Sequence, residues 1–116
     1  MKHFTLSEFE CTCCGQVNMD KDFLKMLDEA RDIAEMPFIV SSGYRCAKHN
    51  KEIGGSKDSA HLTGRAADIV CGNNAARKTI ILSLLATGFT RIGVGKNFIH
   101  VDSDVTKMQN VMWLYD

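Results

Sequence analysis

A chain of 116 residues, 45% hydrophobic and 24% charged, has the composition of an ordinary soluble domain and can bury a core without disulfides. Its 14 Lys and Arg balance 14 Asp and Glu, so no net field draws it to nucleic acid or to an anionic membrane. The longest apolar run, residues 79–86, is far short of a bilayer span, and residues 1–8 lack the apolar segment of a secretory signal. One monomeric domain over residues 1–116, cytoplasmic as synthesised, is therefore expected.

Residues 4–19 read as irregular. Asp20 and Asp22 suit the first turn of a helix. Phe23, Leu24, Leu27, Ala30, Ile33 and Ala34 then recur at three- and four-residue spacing as one core stripe, and Met36-Pro37 ends the helix. Residues 38–40 read as a buried strand, Ser41-Ser42-Gly43 as a turn, and 47–53 as a short helix closed by Gly54-Gly55. A polar loop over 56–64 carries His61. Residues 66–71 are apolar enough for a strand, yet hold Asp68 in the middle. A carboxylate there needs a partner, which metal coordination would supply.

Asn73-Asn74 caps a helix over 75–86, with Ala76, Ile80, Ile81, Leu84 and Leu85 as its core stripe, and Gly88 ends it. Residues 91–95 and 97–101 read as two strands around a tight turn at Gly95-Lys96, and 111–115 as a last strand. This order predicts an α+β domain: a small, mainly antiparallel sheet with helices packed to one side.

Two imidazoles and one carboxylate are a common protein ligand set of a catalytic zinc. His61 and Asp68 are too far apart for adjacent turns of one helix, but suit a loop followed by a strand, with Gly64 free to reverse the backbone. His100 lies on a later strand, where alternation places Phe98, His100 and Asp102 on one face. If that strand neighbours the one carrying Asp68, the three side chains meet.

The five cysteines are Cys11, Cys13, Cys14, Cys46 and Cys71, an odd count that argues against a disulfide framework. Cys11, Cys13, Cys14 and Cys46 allow two readings: a knuckle for a second, structural zinc, or reduced thiols packed as small apolar residues. The spacing favours the thiols, because structural zinc sites usually show two separated pairs.

The string Ser59-x-His61-x-x-Gly64-x-Ala66-x-Asp68, with Ser42-Gly43-Tyr44-Arg45 before it and His100-Val101-Asp102 after it, resembles the M15 family. That family comprises zinc D-Ala-D-Ala carboxypeptidases and related phage and bacterial peptidoglycan peptidases. The resemblance covers about residues 9–102 and implies a hedgehog/DD-peptidase-like fold. It implies Zn2+ held by His61, Asp68 and His100. Arg45 would face the substrate and support the oxyanion formed as water attacks the peptide carbonyl, and Ser59 would help hold the substrate's polar end. The substrate would be a wall peptide, and release in phage or prophage lysis would explain the missing signal.

One departure stands out. Many relatives carry an acidic residue three positions before the last His ligand, or a His two before it; here Asn97 and Phe98 occupy those places. Asp102 is the nearest acidic candidate, either as general base or as the partner that orients His100. Asp58 and Asp104 are weaker candidates. A non-catalytic, zinc-containing wall-binding or phage structural module is the alternative. His3 and His49 read as solvent-exposed, and Trp113 and Tyr115 as core or rim.

Overall fold

Asp20 starts the first helix: its side chain accepts the Phe23 N–H at 2.9 Å. Helix α1 runs over Lys21–Ala34 and closes on Glu35 in the left-handed region, at φ 53°. These and the elements below come from a computed structural model, which describes residues 1–115. Phe23, Leu24, Leu27 and Ala30 are buried as the periodicity requires, whereas Ile33 is 54% exposed. Of the predicted stripe only Ile33 thus leaves the core; Ala34, half-buried, still packs against it.

Strand β1 is Val40–Ser42, two residues later than the sequence reading placed it. Phe38 is buried in the core and Ile39 faces solvent, so the apolar run precedes the paired segment. Pairing begins where Val40 meets Ile69, and Ser42 lies opposite Asp68. Ser41 and Ser42 are extended, not turned. Gly43 then passes so close to Phe9 that a Cβ there would lie 2.6 Å from the Phe9 Cα.

Helix α2 (Ala47–Glu52), strand β2 (Ala66–Val70) and helix α3 (Asn74–Ala86) follow. Asn73 caps α3 by accepting the Ala76 N–H at 2.8 Å. Strands β3 (Arg91–Val94), β4 (Phe98–Asp102) and β5 (Val111–Leu114) complete a five-stranded sheet of order β1-β2-β4-β3-β5. Every pairing is antiparallel except β3 with β5. The architecture is α+β, as expected.

Strand alternation divides the sheet into two unlike faces. Ala67, Ile69, Ile92, Ile99 and Val101 are buried against Phe23, Leu27, Ile80 and Leu84 of α1 and α3. The intervening residues, Asp68, Arg91, His100 and Asp102, turn to the opposite face. Among the described residues, no helix is long and apolar enough to cross a membrane.

Candidate metal centre

Strand register places the candidate ligands. Asp68 on β2 is the direct partner of His100 on β4, and Ala66 of Asp102. On the other side of β4, Gly93 faces His100 and Arg91 faces Asp102. His61 arrives from a 3-10 turn, Ala60–Thr63, whose first N–H groups need a cap. Ser59 Oγ supplies it, accepting the His61 N–H at 3.3 Å. Gly64 ends the turn at φ 71°, where a Cβ would lie 1.9 Å from the Asn18 carbonyl oxygen. Only glycine fits both constraints.

The protonation pattern identifies what the three side chains can hold. His61 Nδ1 lies 2.7 Å from the Gly43 carbonyl, which can only accept, so Nδ1 carries the proton. Its Nε2 then presents a lone pair to Asp68 Oδ1 at 3.4 Å. His100 Nδ1 faces the same oxygen at 2.9 Å. Once His100 Nδ1 gives up its proton, lone-pair atoms from three buried or half-buried groups converge within 4.8 Å of one another. A cation resolves that convergence. Zinc bonds of about 2.0–2.2 Å put tetrahedral ligand atoms about 3.3–3.6 Å apart; the His61–Asp68 separation of 3.4 Å has that size, and the His100–Asp68 pair at 2.9 Å would open slightly to admit an ion.

The far edge of the His100 ring has its own partner. His100 Nε2 donates to Asp102 Oδ2 at 2.8 Å. The other oxygen of Asp102 accepts from Arg91 Nε at 2.7 Å and from the Asp104 N–H at 3.1 Å. Asp102 is 2% exposed, so both oxygens are committed inside the protein. Burial alone would push His100 down in pKa, but its hydrogen bonds to Asp102 and Asp68 outweigh it and hold the value above the ordinary range. Burial also opposes ionisation of Asp68 and Asp102, yet the hydrogen bonds from His100 hold both carboxyls below the usual range.

A cleft of about 310 Å³ opens over this cluster, and Arg45, Ser59, Lys107, Trp113 and Tyr115 share its walls. Arg45 is buried and braced: Nη1 donates to Asn50 Oδ1 at 2.9 Å, and Asn50 Nδ2 donates to the Ser56 carbonyl at 2.8 Å. Among the described residues, its Nε is buried without a hydrogen-bond partner. Ser59 reaches the cleft while capping the His61 turn. Asp58 and Asp104 instead line a neighbouring depression, and Asn97 lines another beyond Phe98. His3 and His49 are half-buried, not free in solvent: His3 pairs with Asp32 at 3.1 Å and His49 meets Thr12 Oγ1 at 3.1 Å.

Four wall residues escaped the sequence reading as functional groups: Arg91, Lys107, Trp113 and Tyr115. The Arg91 guanidinium sits over the Trp113 ring, 4.8 Å from its centroid, while paired with Asp102. Trp113 and Tyr115 lie 5.6 Å and 6.4 Å from the His100 ring centre. Gly93 makes room for them, since a Cβ there would come within 2.5 Å of Tyr115 and 2.7 Å of Trp113. A glycine in mid-strand was the signal that a ring approaches its face.

Cys11, Cys13, Cys14 and Cys46 form a second convergent group, and none of the four lines this cleft. The Peptidase M15 family model matches residues 2–102. That span includes His61, Asp68, His100, Arg45, Ser59 and Asp102, while β5 with Trp113 and Tyr115 lies beyond it. No curated protein sequence matches the chain.

Proposed function

This chain belongs to the peptidase M15 family of metallopeptidases, and we propose that it is a zinc peptidase that cuts peptidoglycan stem or crosslink peptides at a bond involving a D-amino acid. The observation that carries the reading is the convergence of His61 Nε2, Asp68 Oδ1 and His100 Nδ1 beneath an open cleft. Two nitrogens and a carboxylate oxygen suit zinc better than the oxygen-loving cations. The resemblance of the Ser59–Asp68 and His100–Asp102 strings to wall peptidases supports the substrate. So does a cleft offering the cations Arg45 and Lys107 to a peptide that ends in carboxylates.

When bound, zinc supplies Lewis acidity, polarising the scissile carbonyl and lowering the pKa of water toward ~7. The protein supplies placement. Gly43 fixes the His61 tautomer, so Nε2 stays free to ligate. Asp102 fixes His100 from the opposite ring edge and raises its basicity. With both oxygens engaged, Asp102 acts through His100 and not as the proton carrier. Arg45, held by Asn50, presents a guanidinium to the developing oxyanion. Ser59 holds the turn that carries His61, and its hydroxyl borders the peptide path.

A second reading draws on one observation. Among the described residues, the only carboxylates lining the cleft are Asp68 and Asp102, and both are committed. A zinc-containing wall-binding module without turnover would look the same. Purified peptidoglycan digested with the protein, with and without chelator, separates them. Chelator-sensitive release of free amino groups at a D-amino-acid bond is expected; binding to the wall without release would replace the peptidase reading.

A further inference from the structure

The second cluster joins two segments distant in sequence. Cys11, Cys13 and Cys14 lie in the turn after Phe9, and Cys46 caps α2 immediately after Arg45. Cys11 Sγ is 3.6 Å from Cys13 Sγ, which is 3.3 Å from Cys46 Sγ, and all four sulfurs lie within 4.8 Å of one another. Zinc–sulfur bonds of about 2.3 Å in a tetrahedron put the sulfurs about 3.8 Å apart. The cluster already has that size.

Packing as small apolar residues does not account for the group. It fits Cys71, which is 1% exposed inside the core, and Cys11, at 2%. Cys13 and Cys14 are exposed, and burial brings them nothing. Their positions follow from the backbone instead. Gly15 in the left-handed region, φ 72°, lets its N–H reach the Cys11 carbonyl at 2.8 Å, while the Cys11 N–H donates to the Gln16 carbonyl at 2.7 Å. That knuckle turns the three thiols to one side. Backbone N–H groups are also aimed at sulfur: Cys46 N–H to Cys11 Sγ at 3.5 Å, and His49 N–H to Cys46 Sγ at 3.4 Å. Donors arranged around thiols in this way stabilise thiolates, the form that binds metal.

We propose that Cys11, Cys13, Cys14 and Cys46 form a closed tetrathiolate zinc site, structural in role, that clamps the N-terminal turn to the loop carrying Arg45. Four protein ligands leave no open position, so the site does no chemistry of its own. Among the described residues, the other links between the two segments are the Tyr44 N–H to Phe9 carbonyl bond at 2.8 Å, the close approach of Gly43 to Phe9 and the Thr12–His49 contact. Zinc supplies the missing crosslink.

The test counts metal by element analysis in protein purified with zinc and a non-thiol reductant. Wild type is expected to hold two zinc per chain. His61→Ala is expected to hold one, and the Cys13→Ser, Cys14→Ser double variant one. Cobalt titrated into metal-free His61→Ala should give a near-ultraviolet thiolate-to-cobalt band, which needs no Cys variant to fold. Removing the Cys-bound metal should speed amide exchange at Cys11, Gly15 and Cys46. One zinc in wild type that disappears in His61→Ala, absence of the cobalt band, or a chain mass showing a Cys13–Cys46 disulfide that reductant does not convert to a metal site would each overturn the proposal.

Discussion

Ile99 and His100 are neighbours on β4, at 0% and 8% exposure, yet they live by different rules. On the helix side of the sheet, Ile69, Ile99 and Val101 need no partner, because exclusion from water stabilises them at about 25 cal/mol per Å² of apolar area. On the cleft side, His100 and Asp102 are almost as dry, and every polar atom must find a match or cost the fold about 1–3 kcal/mol. One side is held by shape, the other by a chain of partners running Arg91–Asp102–His100–Asp68–His61. The same strand spends alternate residues on stability and on chemistry.

The sharpest way to break this contrast is to truncate each neighbour. His100→Ala should abolish metal binding at the cleft and reduce peptidase activity to background. Ile99→Ala should leave metal content and activity per folded molecule unchanged while costing about 2–5 kcal/mol of stability in urea unfolding. Loss of cleft metal in Ile99→Ala at temperatures where it stays folded would show that the two faces are not separable.

A smaller effect tests how the chain of partners works. Asp102→Asn keeps the shape but loses the charge that orients His100 and pairs with Arg91. Metal affinity at the cleft should fall about 10- to 100-fold, with activity recovering as zinc is raised. If Asp102 were the proton carrier, activity would instead collapse with metal affinity intact. The two readings thus separate on one variant.

Much of the helix side was legible in the sequence, and less of the cleft side. Period-two alternation in β4 was enough to put His100 and Asp102 on one face, and helical spacing found Phe23, Leu27, Ile80 and Leu84. Pairing across strands was not legible. That Asp68 stands opposite His100, and Arg91 opposite Asp102, depends on register between segments far apart in the chain. Trp113 and Tyr115 belong to the cleft because β5 adds in parallel beside β3, where Gly93 leaves space. The cysteines show the same limit. Local spacing favoured packed thiols because Cys11, Cys13 and Cys14 crowd together where structural sites show two separated pairs; that Cys46 folds onto them from the loop after β1 is set by the fold.

The last contrast is in pH. Apolar contacts on the helix side do not titrate, whereas the cleft side does. In the metal-free protein, protonated His100 donates from both ring nitrogens, to Asp68 and to Asp102, and its pKa is raised. A raised folded value means this stabilisation is complete below the unfolded value of about 6.5 and is lost as pH rises through the folded value. Asp68 and Asp102 are lowered, so their share is present above the unfolded value of about 3.9 and fades as pH falls toward their folded values. Metal needs the His100 lone pair, so binding expels that proton and affinity climbs over the same rise in pH. Scanning calorimetry of metal-free protein from about pH 6 to 9 should show Tm falling while zinc affinity rises. His100→Gln should remove this contribution to both trends, and Ile99→Ala should lower Tm by a similar amount at every pH. A metal-free Tm with the same slope in wild type and His100→Gln would mean that the paired carboxylates do not hold the proton on His100.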